Sequence, residues 1–320
     1  MGDNKFRAYL LNGKEHYTYT FDPMDSDLTA VRDDDLFPES LVLFAYLDRR
    51  FYEPIFEKIH SALSGLYERQ TQSAADQVWE CLNELGPVHI YFELLRVDWQ
   101  ARLIRSKQNA YQDAQELLPW EELSTLIDGI ETRQQQIRDL FASELDMDVP
   151  QKKKPSLVIL TETTKPIAGF HFGQLNFGFE QTKSGDYVQV LYPQDLFDLV
   201  DYHLRECLMQ ETRMRVCKNC GKYFAVVKNS KAEYCNHPFD AKGRSCREVA
   251  SILQWNRNRA DDAVFKEYRR EYKKRFARMK AGTMDAAQFY LWSKLAREKK
   301  AECEDGKITL NEFFKWLSLS

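Results

Sequence analysis

Four of the chain's seven cysteines lie close together in the sequence, and their spacing is typical of a metal site. The first two form a Cys-x-x-Cys pair, and the others follow after 14 and then 10 intervening residues: Cys217, Cys220, Cys235 and Cys246. A Cys-x-x-Cys turn lets two sulfur atoms face one ion, and a second pair completes a tetrahedron. Gly221 suits the tight turn after the first pair. The sequence therefore predicts that these four cysteines bind one Zn²⁺.

The alternative ligand is His237, which lies two residues after Cys235 and would replace one of the cysteines. We predict a structural ion, because four thiolates close the coordination sphere, whereas a catalytic zinc keeps one position for water. The His-x-Glu motif of the zinc deaminases is absent from the sequence. Four thiolates leave the site with a net negative charge, and nearby cations can offset it: Lys218, Lys222, Arg244 and Arg247.

The remaining cysteines do not suggest a disulfide framework. Their total is odd, and they are scattered through segments with helical periodicity: Cys81, Cys207 and Cys303. The first residues carry no signal-peptide pattern, and the apolar runs are too short to cross a bilayer. We therefore expect a cytoplasmic protein, in which a four-cysteine cluster is better interpreted as a metal site than as disulfides.

The net charge of −4 conceals a strong division along the chain. Residues 217–300 hold 21 Lys and Arg against 9 Asp and Glu, a net charge of +12. Residues 1–216 hold 22 against 36, a net charge of −14. Such a basic segment indicates either a polyanionic partner or attraction between the two parts of the chain.

Much of the positive charge falls in one predicted helix, whose sequence is VFKEYRREYKKRFARMK. Its large apolar residues recur every three or four positions and predict a single apolar stripe: Phe265, Tyr268, Tyr272, Phe276 and Met279. Six cations outside the stripe are the candidate phosphate contacts: Lys266, Arg269, Arg270, Lys273, Lys274 and Arg278. Arg257 and Arg259, in WNRNRADD, are candidates for reading base edges.

The basic helix also has a simpler interpretation. An amphipathic helix packed by its aromatic residues presents a charged face to water, and that face can pair with Glu267 and Glu271 on the same helix. The same face can also dock on the acidic part of the chain. Both alternatives remain open at the level of the sequence.

The elements around these motifs predict an α+β fold that is mainly helical. Asn12-Gly13 between alternating apolar residues predicts a first β-hairpin, and residues 39–145 have helical periodicity. A linker is expected near 147–155. Three strand-like segments follow it and predict a second hairpin: SLVILTE, FHFGQLNFGFE and YVQVLYP. A helix opened by Pro193 comes next. The sequence thus predicts an acidic α+β domain over 1–212 and a basic module over 213–320.

The C-terminal module is predicted to be a zinc knuckle followed by helices. One helical stretch runs from Arg247 towards Gly282, which is placed as a C-terminal cap, and a second helix is expected over 284–302. Thr309 and Glu312 form a capping box before the last helix.

Over about residues 215–320 the chain resembles an uncharacterised bacterial domain-of-unknown-function family of the Firmicutes type. The resemblance lies in the order of four motifs: CKNCGKYF, YCN, GRSCREVA and TLNEFFKWL. This family is associated with mobile elements and implies no assigned activity. The cysteines also resemble those of CGNR-type zinc fingers, a likeness that implies transcriptional regulation. That family continues its last cysteine as Cys-Gly-Asn-Arg, whereas here Cys246 is followed by Arg247 and Glu248.

These observations favour a zinc-stabilised nucleic-acid-binding protein that contacts DNA or RNA, as a transcriptional regulator or a mobile-element accessory factor. The first alternative is a scaffold whose zinc is purely structural and whose acidic N-terminal region binds a protein partner. The second is an enzyme with its site in the N-terminal region, which is less favoured because the sequence contains none of the common catalytic motifs.

Overall fold

The computed structural model describes residues 6–20, 29–32, 36–149, 169–182, 184–226, 231–240, 242–250, 252 and 262–319. By its internal contacts the chain divides into a first unit, Met1–Glu233, and a second unit, Tyr234–Ser320. The sequence predicted a boundary between two domains at residues 212 and 213. This boundary stays a prediction, because contacts within the chain do not show which segments fold independently. The predicted fold class is confirmed, because the described elements are mainly helical with antiparallel strands.

The first unit contains one five-stranded antiparallel sheet in the order β3-β2-β1-β5-β4. Its strands are β1 Phe6–Leu11, β2 Lys14–Thr20, β3 Thr29–Arg32, β4 Phe177–Gln181 and β5 Tyr187–Leu191. The predicted first hairpin is confirmed, and Asn12 and Gly13 both have the positive φ that its two-residue turn requires, 54° and 74°. Pairing of Ala8 with Leu191 joins the two predicted hairpins into one sheet, a long-range contact that local sequence patterns do not indicate.

Seven α-helices lie in the described part of this unit. They are α1 Glu39–Ala45, α2 Glu53–Arg69, α3 Gln72–Leu85, α4 Ile90–Lys107, α5 Ala114–Leu117, α6 Trp120–Leu140 and α7 Leu196–Met209. Asp195 caps α7 by accepting hydrogen bonds from the backbone N–H groups of Phe197 and Asp198 at 2.7 and 3.1 Å. This cap places the start of the helix three residues after Pro193, where the sequence predicted it.

The segment before β4 differs from the prediction. The aromatic alternation of residues 170–176 predicts a strand, yet β4 begins only at Phe177. Side chains of α7 bind this backbone instead: the Gly173 N–H donates to Asp201 at 2.6 Å, and Arg205 donates to the Gly173 carbonyl. Because these backbone groups are already satisfied, the segment does not need a neighbouring strand. SLVILTE and most of the predicted linker lie outside the described residues.

A buried polar network lies inside the hydrophobic core of the first unit. The hydroxyl of Tyr17 donates to Glu15 at 2.9 Å and lies 2.9 Å from Ser40 and 3.3 Å from His203. The hydroxyl of Tyr91 lies 2.9 Å from His203, so one imidazole contacts both tyrosines. Burial, followed by the charge of Glu15, raises the pKa of both tyrosines, which therefore stay protonated. Nothing in the local sequence around these residues indicates this network.

In the described part of the second unit, a short helical segment at residues 246–250 precedes three longer helices: α8 Ala263–Lys280, α9 Ala286–Glu304 and α10 Leu310–Leu319. Asp262 caps α8 by accepting from the Phe265 N–H at 2.9 Å, so a new helix begins there instead of continuing from Arg247. Gly282 follows α8 with φ of 72°, as expected for a C-terminal cap. The predicted capping box is confirmed: the Thr309 N–H donates to Glu312 at 2.7 Å, and the Glu312 N–H donates to the Thr309 hydroxyl at 3.3 Å.

The core of the second unit is small and aromatic. Five residues of α9 and α10 are buried in it: Phe289, Trp292, Ala296, Phe313 and Leu317. The predicted stripe of α8 packs against them through Tyr268, Tyr272, Phe276 and Met279. In the part of the chain that the structure describes, no helix has both the length and the apolar character needed to cross a bilayer.

The stability of the fold should depend on pH through His203. Desolvation by burial lowers the pKa of this histidine from 6.5 to about 4. The unfolded chain takes up a proton near pH 6.5 and the folded chain does not, so stability falls as the pH decreases below 6.5 and this loss is complete below pH 4. We expect a total loss of about 3 kcal/mol from this group, measured by urea unfolding at a series of pH values.

Two variants separate this contribution from that of other acids. His203→Gln should remove the contribution and flatten the dependence between pH 4 and 6.5, whereas His171→Gln, at an exposed position, should leave it unchanged. Equal pH dependence in both variants would contradict the assignment to His203.

Candidate metal centre and basic helix

The sulfur atoms of Cys217, Cys220, Cys235 and Cys246 all lie within 4.8 Å of one another. With Zn–S bonds of about 2.3 Å, the sulfurs of a regular tetrahedron are about 3.8 Å apart. Four thiolates at these separations therefore fit a single ion after small side-chain adjustments. Three of the cysteines are buried and Cys220 is half-buried, so the cluster offers a closed, sulfur-only site.

A short hairpin presents the first pair of cysteines. Its strands are β6 Met214–Val216 and β7 Tyr223–Ala225. The Cys217 N–H donates to the Lys222 carbonyl and the Gly221 N–H to the Cys217 carbonyl, both at 2.9 Å. Gly221 has φ of 73°, a left-handed conformation that favours glycine. The predicted tight turn therefore has the expected geometry.

Residues that directly follow helical segments of the first unit hold this hairpin in place. The Tyr223 N–H donates to the Tyr46 hydroxyl at 2.8 Å, and the Tyr223 hydroxyl donates to Asp146 at 2.8 Å. Arg215 forms a two-pronged ion pair with Asp148 at 2.8 and 3.0 Å. Paired hydrogen bonds of this kind fix both distance and angle. The first cysteine pair is thus attached to a folded body on both of its strands.

Backbone hydrogen bonds and a helix cap position the second pair. The Arg247 N–H donates to the Cys235 carbonyl at 3.0 Å, and the Cys246 N–H donates to the His237 carbonyl at 3.2 Å. Residues 246–250 are helical, and Ser245 and Glu248 form a capping box before them. Hydrogen bonds from Ser245 lower the pKa of Glu248 and keep its carboxylate charged. This cap orients Cys246 at the start of its helix.

The capping box of Ser245 and Glu248 was not predicted from the sequence. Its signal is present in the sequence as Ser-x-x-Glu directly around Cys246. His237, the alternative ligand, is not part of the candidate group, and its backbone carbonyl instead positions Cys246.

Two of the four predicted neighbouring cations are already paired with carboxylates. Lys218 lies 2.5 Å from Glu233, and Arg244 lies 2.6 Å from Asp240. These pairs reduce the positive charge available to the thiolates. Lys222 lies 5.4 Å from the centroid of the Tyr46 ring, a cation–π contact.

The other three cysteines take no part in this cluster. Cys207 is buried on α7, and Cys81 and Cys303 are half-buried on α3 and α9. All seven cysteines lie in the described part of the chain, and none forms a disulfide. The sequence-based separation of four clustered cysteines from three unrelated ones therefore agrees with the structure.

Helix α8 carries a broad, exposed basic face. At 100° per residue, its exposed cations span an arc of about 180°, and the aromatic stripe lies on the opposite side. Seven exposed cations form this face, here called the basic arc: Lys266, Arg269, Arg270, Lys273, Lys274, Arg278 and Lys280. It contains all six predicted phosphate contacts on this helix. Arg257 and Arg259 lie outside the described residues.

Acidic residues of α8 form ion pairs with two cations of the basic arc. Glu267 forms an ion pair with Arg270, and Glu271 lies 3.6 Å from Lys274. Within the described ranges, Lys266 and Lys273 have no ion-pair partner. The expected pairing with Glu267 and Glu271 therefore involves two of the seven cations, and the interpretation as a solvated face stays open.

Residues 174–316 match the model of DUF6076, a family of unknown function. The match confirms the predicted similarity to a family of that kind, and it begins well before residue 215, so that β4, β5 and α7 are included. No curated protein and no solved structure matches the chain. The bacterial, Firmicutes-type origin and the likeness to CGNR-type zinc fingers stay predictions.

The purified full-length chain should contain about one tightly bound metal ion, measured by elemental analysis against protein concentration. Cys235→Ser should lower the content to less than about half an ion per chain, because the hydroxyl is a poor substitute for a thiolate ligand. Cys81→Ser, outside the cluster, should retain the full content. Equal metal content in the two variants would contradict the site.

Proposed function

We propose that this protein is a zinc-stabilised nucleic-acid-binding protein. In this proposal the four-cysteine cluster holds Zn²⁺ as a structural ion, and the basic arc of α8 contacts the phosphate backbone. The single observation that carries the proposal is the arc itself: seven exposed cations on one face of one helix, with two carboxylates beside it.

The donor set favours zinc with a structural role. Soft thiolate ligands select Zn²⁺, Cu⁺ or iron, and a tetrahedral all-thiolate site in a reducing compartment is typical of structural zinc. Four protein ligands leave no position for a water molecule, so the cluster is unsuited to hydrolytic chemistry. The elemental analysis described above distinguishes zinc from iron.

The geometry of the arc favours a phosphate backbone as its partner. Cations that are spread over about half of a helix surface can neutralise several phosphates at once, and each contact releases condensed counterions. An exposed lysine or arginine without an acidic partner can bind a phosphate without first breaking an ion pair within the protein. Lys266 and Lys273 have this property in the described part of the chain and are the strongest candidates for phosphate contact.

The two narrower roles remain part of the proposal. A transcriptional regulator requires selectivity for particular base pairs, whereas a mobile-element accessory factor can act through backbone contacts alone. The alternative of a protein-binding scaffold remains the competing hypothesis, and a chain without salt-dependent nucleic-acid affinity would favour it.

Affinity of the full chain for nucleic acid should decrease steeply with salt. Replacing Lys266, Lys273 and Arg278 with glutamine should reduce the slope of log K against log salt by about 1 for each residue that contacts a phosphate. Fluorescence anisotropy with a labelled duplex and a labelled single strand over a range of salt concentrations measures both slopes.

A matched control removes the same amount of charge elsewhere. Lys14, Lys107 and Lys315 are exposed and lie outside α8. Their triple glutamine variant should keep the wild-type slope. Affinity that is absent, or that does not vary with salt, would exclude the proposed function.

A further inference from the structure

A groove of about 440 Å³ lies between α8 and α9 in the second unit. Its volume falls within the range of about 300–1,000 Å³ found for sites that bind small organic groups. Four aromatic rings and two guanidinium groups line it: Phe265, Tyr268, Tyr272, Tyr290, Arg269 and Arg297. The basic arc forms one border of this groove, because Arg269 belongs to both.

The aromatic rings form a wall that is only partly covered. Tyr290 is 65% exposed, an unusual degree of exposure for a large aromatic side chain. Phe265, Tyr268 and Tyr272 are half-buried. Burial raises the pKa of Tyr268, which is consistent with an apolar surrounding. The groove thus offers ring faces to a ligand that approaches from solvent.

Packing below the groove holds this wall in place. Tyr272 contacts the buried ring of Phe289 at 5.3 Å between centroids, and Phe289 contacts Tyr290 at 5.5 Å. Phe265 was predicted to belong to the core stripe, but it is not among the residues packed against the core cluster. It lines the groove instead, with the Arg269 guanidinium 5.9 Å from its ring centroid.

The two arginines give the groove a positive rim. Arg297 is exposed, and its Nε donates to the Ser293 carbonyl on the preceding turn at 3.2 Å. Arg269 is exposed beside Lys266 and Lys273 on the basic arc. A ligand in this groove therefore meets aromatic faces at its centre and cations at its edge.

We infer that this groove binds unpaired bases of single-stranded DNA or RNA, which stack on its aromatic rings while the basic arc holds the adjoining phosphates. The inference rests on the proposed function and adds that the protein binds single-stranded nucleic acid more tightly than duplex. Aromatic rings next to a cationic track are the general requirement for binding single strands without sequence selection. Every base has a π-face, so stacking of this kind tolerates any sequence.

A duplex satisfies only part of this arrangement. Paired bases are stacked on one another inside the helix and do not present their faces to a groove, so a duplex engages the basic arc alone. A neutral, apolar peptide segment could pack against the aromatic rings, but it would leave Arg269 and Arg297 without an anionic partner. Single strands satisfy both the rings and the cations.

The test compares three labelled probes of equal length, about 12 nucleotides, with the full chain: oligothymidylate, the same backbone with abasic sites, and a duplex. Oligothymidylate should bind more tightly than the abasic probe by about 5- to 150-fold, the effect of stacking one base. Tyr290→Ala should remove the difference in affinity between oligothymidylate and the abasic probe, without changing the slope of log K against log salt. Tyr290→Phe should retain the difference in affinity.

Leu291→Ala is the matched control, because Leu291 is 62% exposed on α9 and does not line the groove. It should behave as the wild type. Salt-dependent binding of equal strength to all three probes would overturn the inference and leave the proposed function standing. Absence of salt-dependent binding to every probe would overturn both. The probe comparison uses the unmodified chain, so it does not depend on the folding of any variant.

Discussion

The packing of one aromatic stripe against two helices determines what the second unit presents to solvent. Tyr268, Tyr272, Phe276 and Met279 occupy the side of α8 that faces Phe289 and its neighbours. Because one side of the helix faces this core, the seven cations of the basic arc lie on the solvent side, whereas Arg275 packs over the Trp292 ring. The same packing leaves Tyr290 at the edge of the core, where its ring is accessible. Both candidate ligand surfaces therefore depend on a single hydrophobic contact.

In the proposed function, the cysteine cluster has a structural role. Its ligands lie on a hairpin turn, on an irregular loop and at a capped helix start, and short hydrogen bonds fix the backbone at each of these positions. In the proposed function, an ion held by these cysteines would supply folding free energy that a small core lacks. The proposal thus gives the ion and the basic arc separate roles: the ion maintains structure, and the arc provides positive charge.

The distance along the chain between interacting residues decided which features could be predicted from the sequence. The Asn12-Gly13 hairpin, the box at Thr309 and the α8 stripe are encoded by residues a few positions apart, and each was predicted. The four cysteines were grouped correctly because their ligand spacing is itself a local pattern. Contacts between distant segments were missed: Ala8 with Leu191, Asp201 with Gly173, and Tyr17 with His203. The groove was missed for the same reason, since Tyr290 belongs to a different helix from Phe265 and only packing brings them together.

The central claim is that the surface of α8 and α9 is where this chain contacts nucleic acid. Ultraviolet cross-linking of the full chain to oligothymidylate, followed by mass spectrometry of the linked peptides, locates that contact directly. The account predicts cross-links to peptides containing Phe265, Tyr268 or Tyr290, and their loss when salt is raised enough to release the strand. Cross-links confined to residues 39–149, or an absence of any specific cross-link, would contradict it.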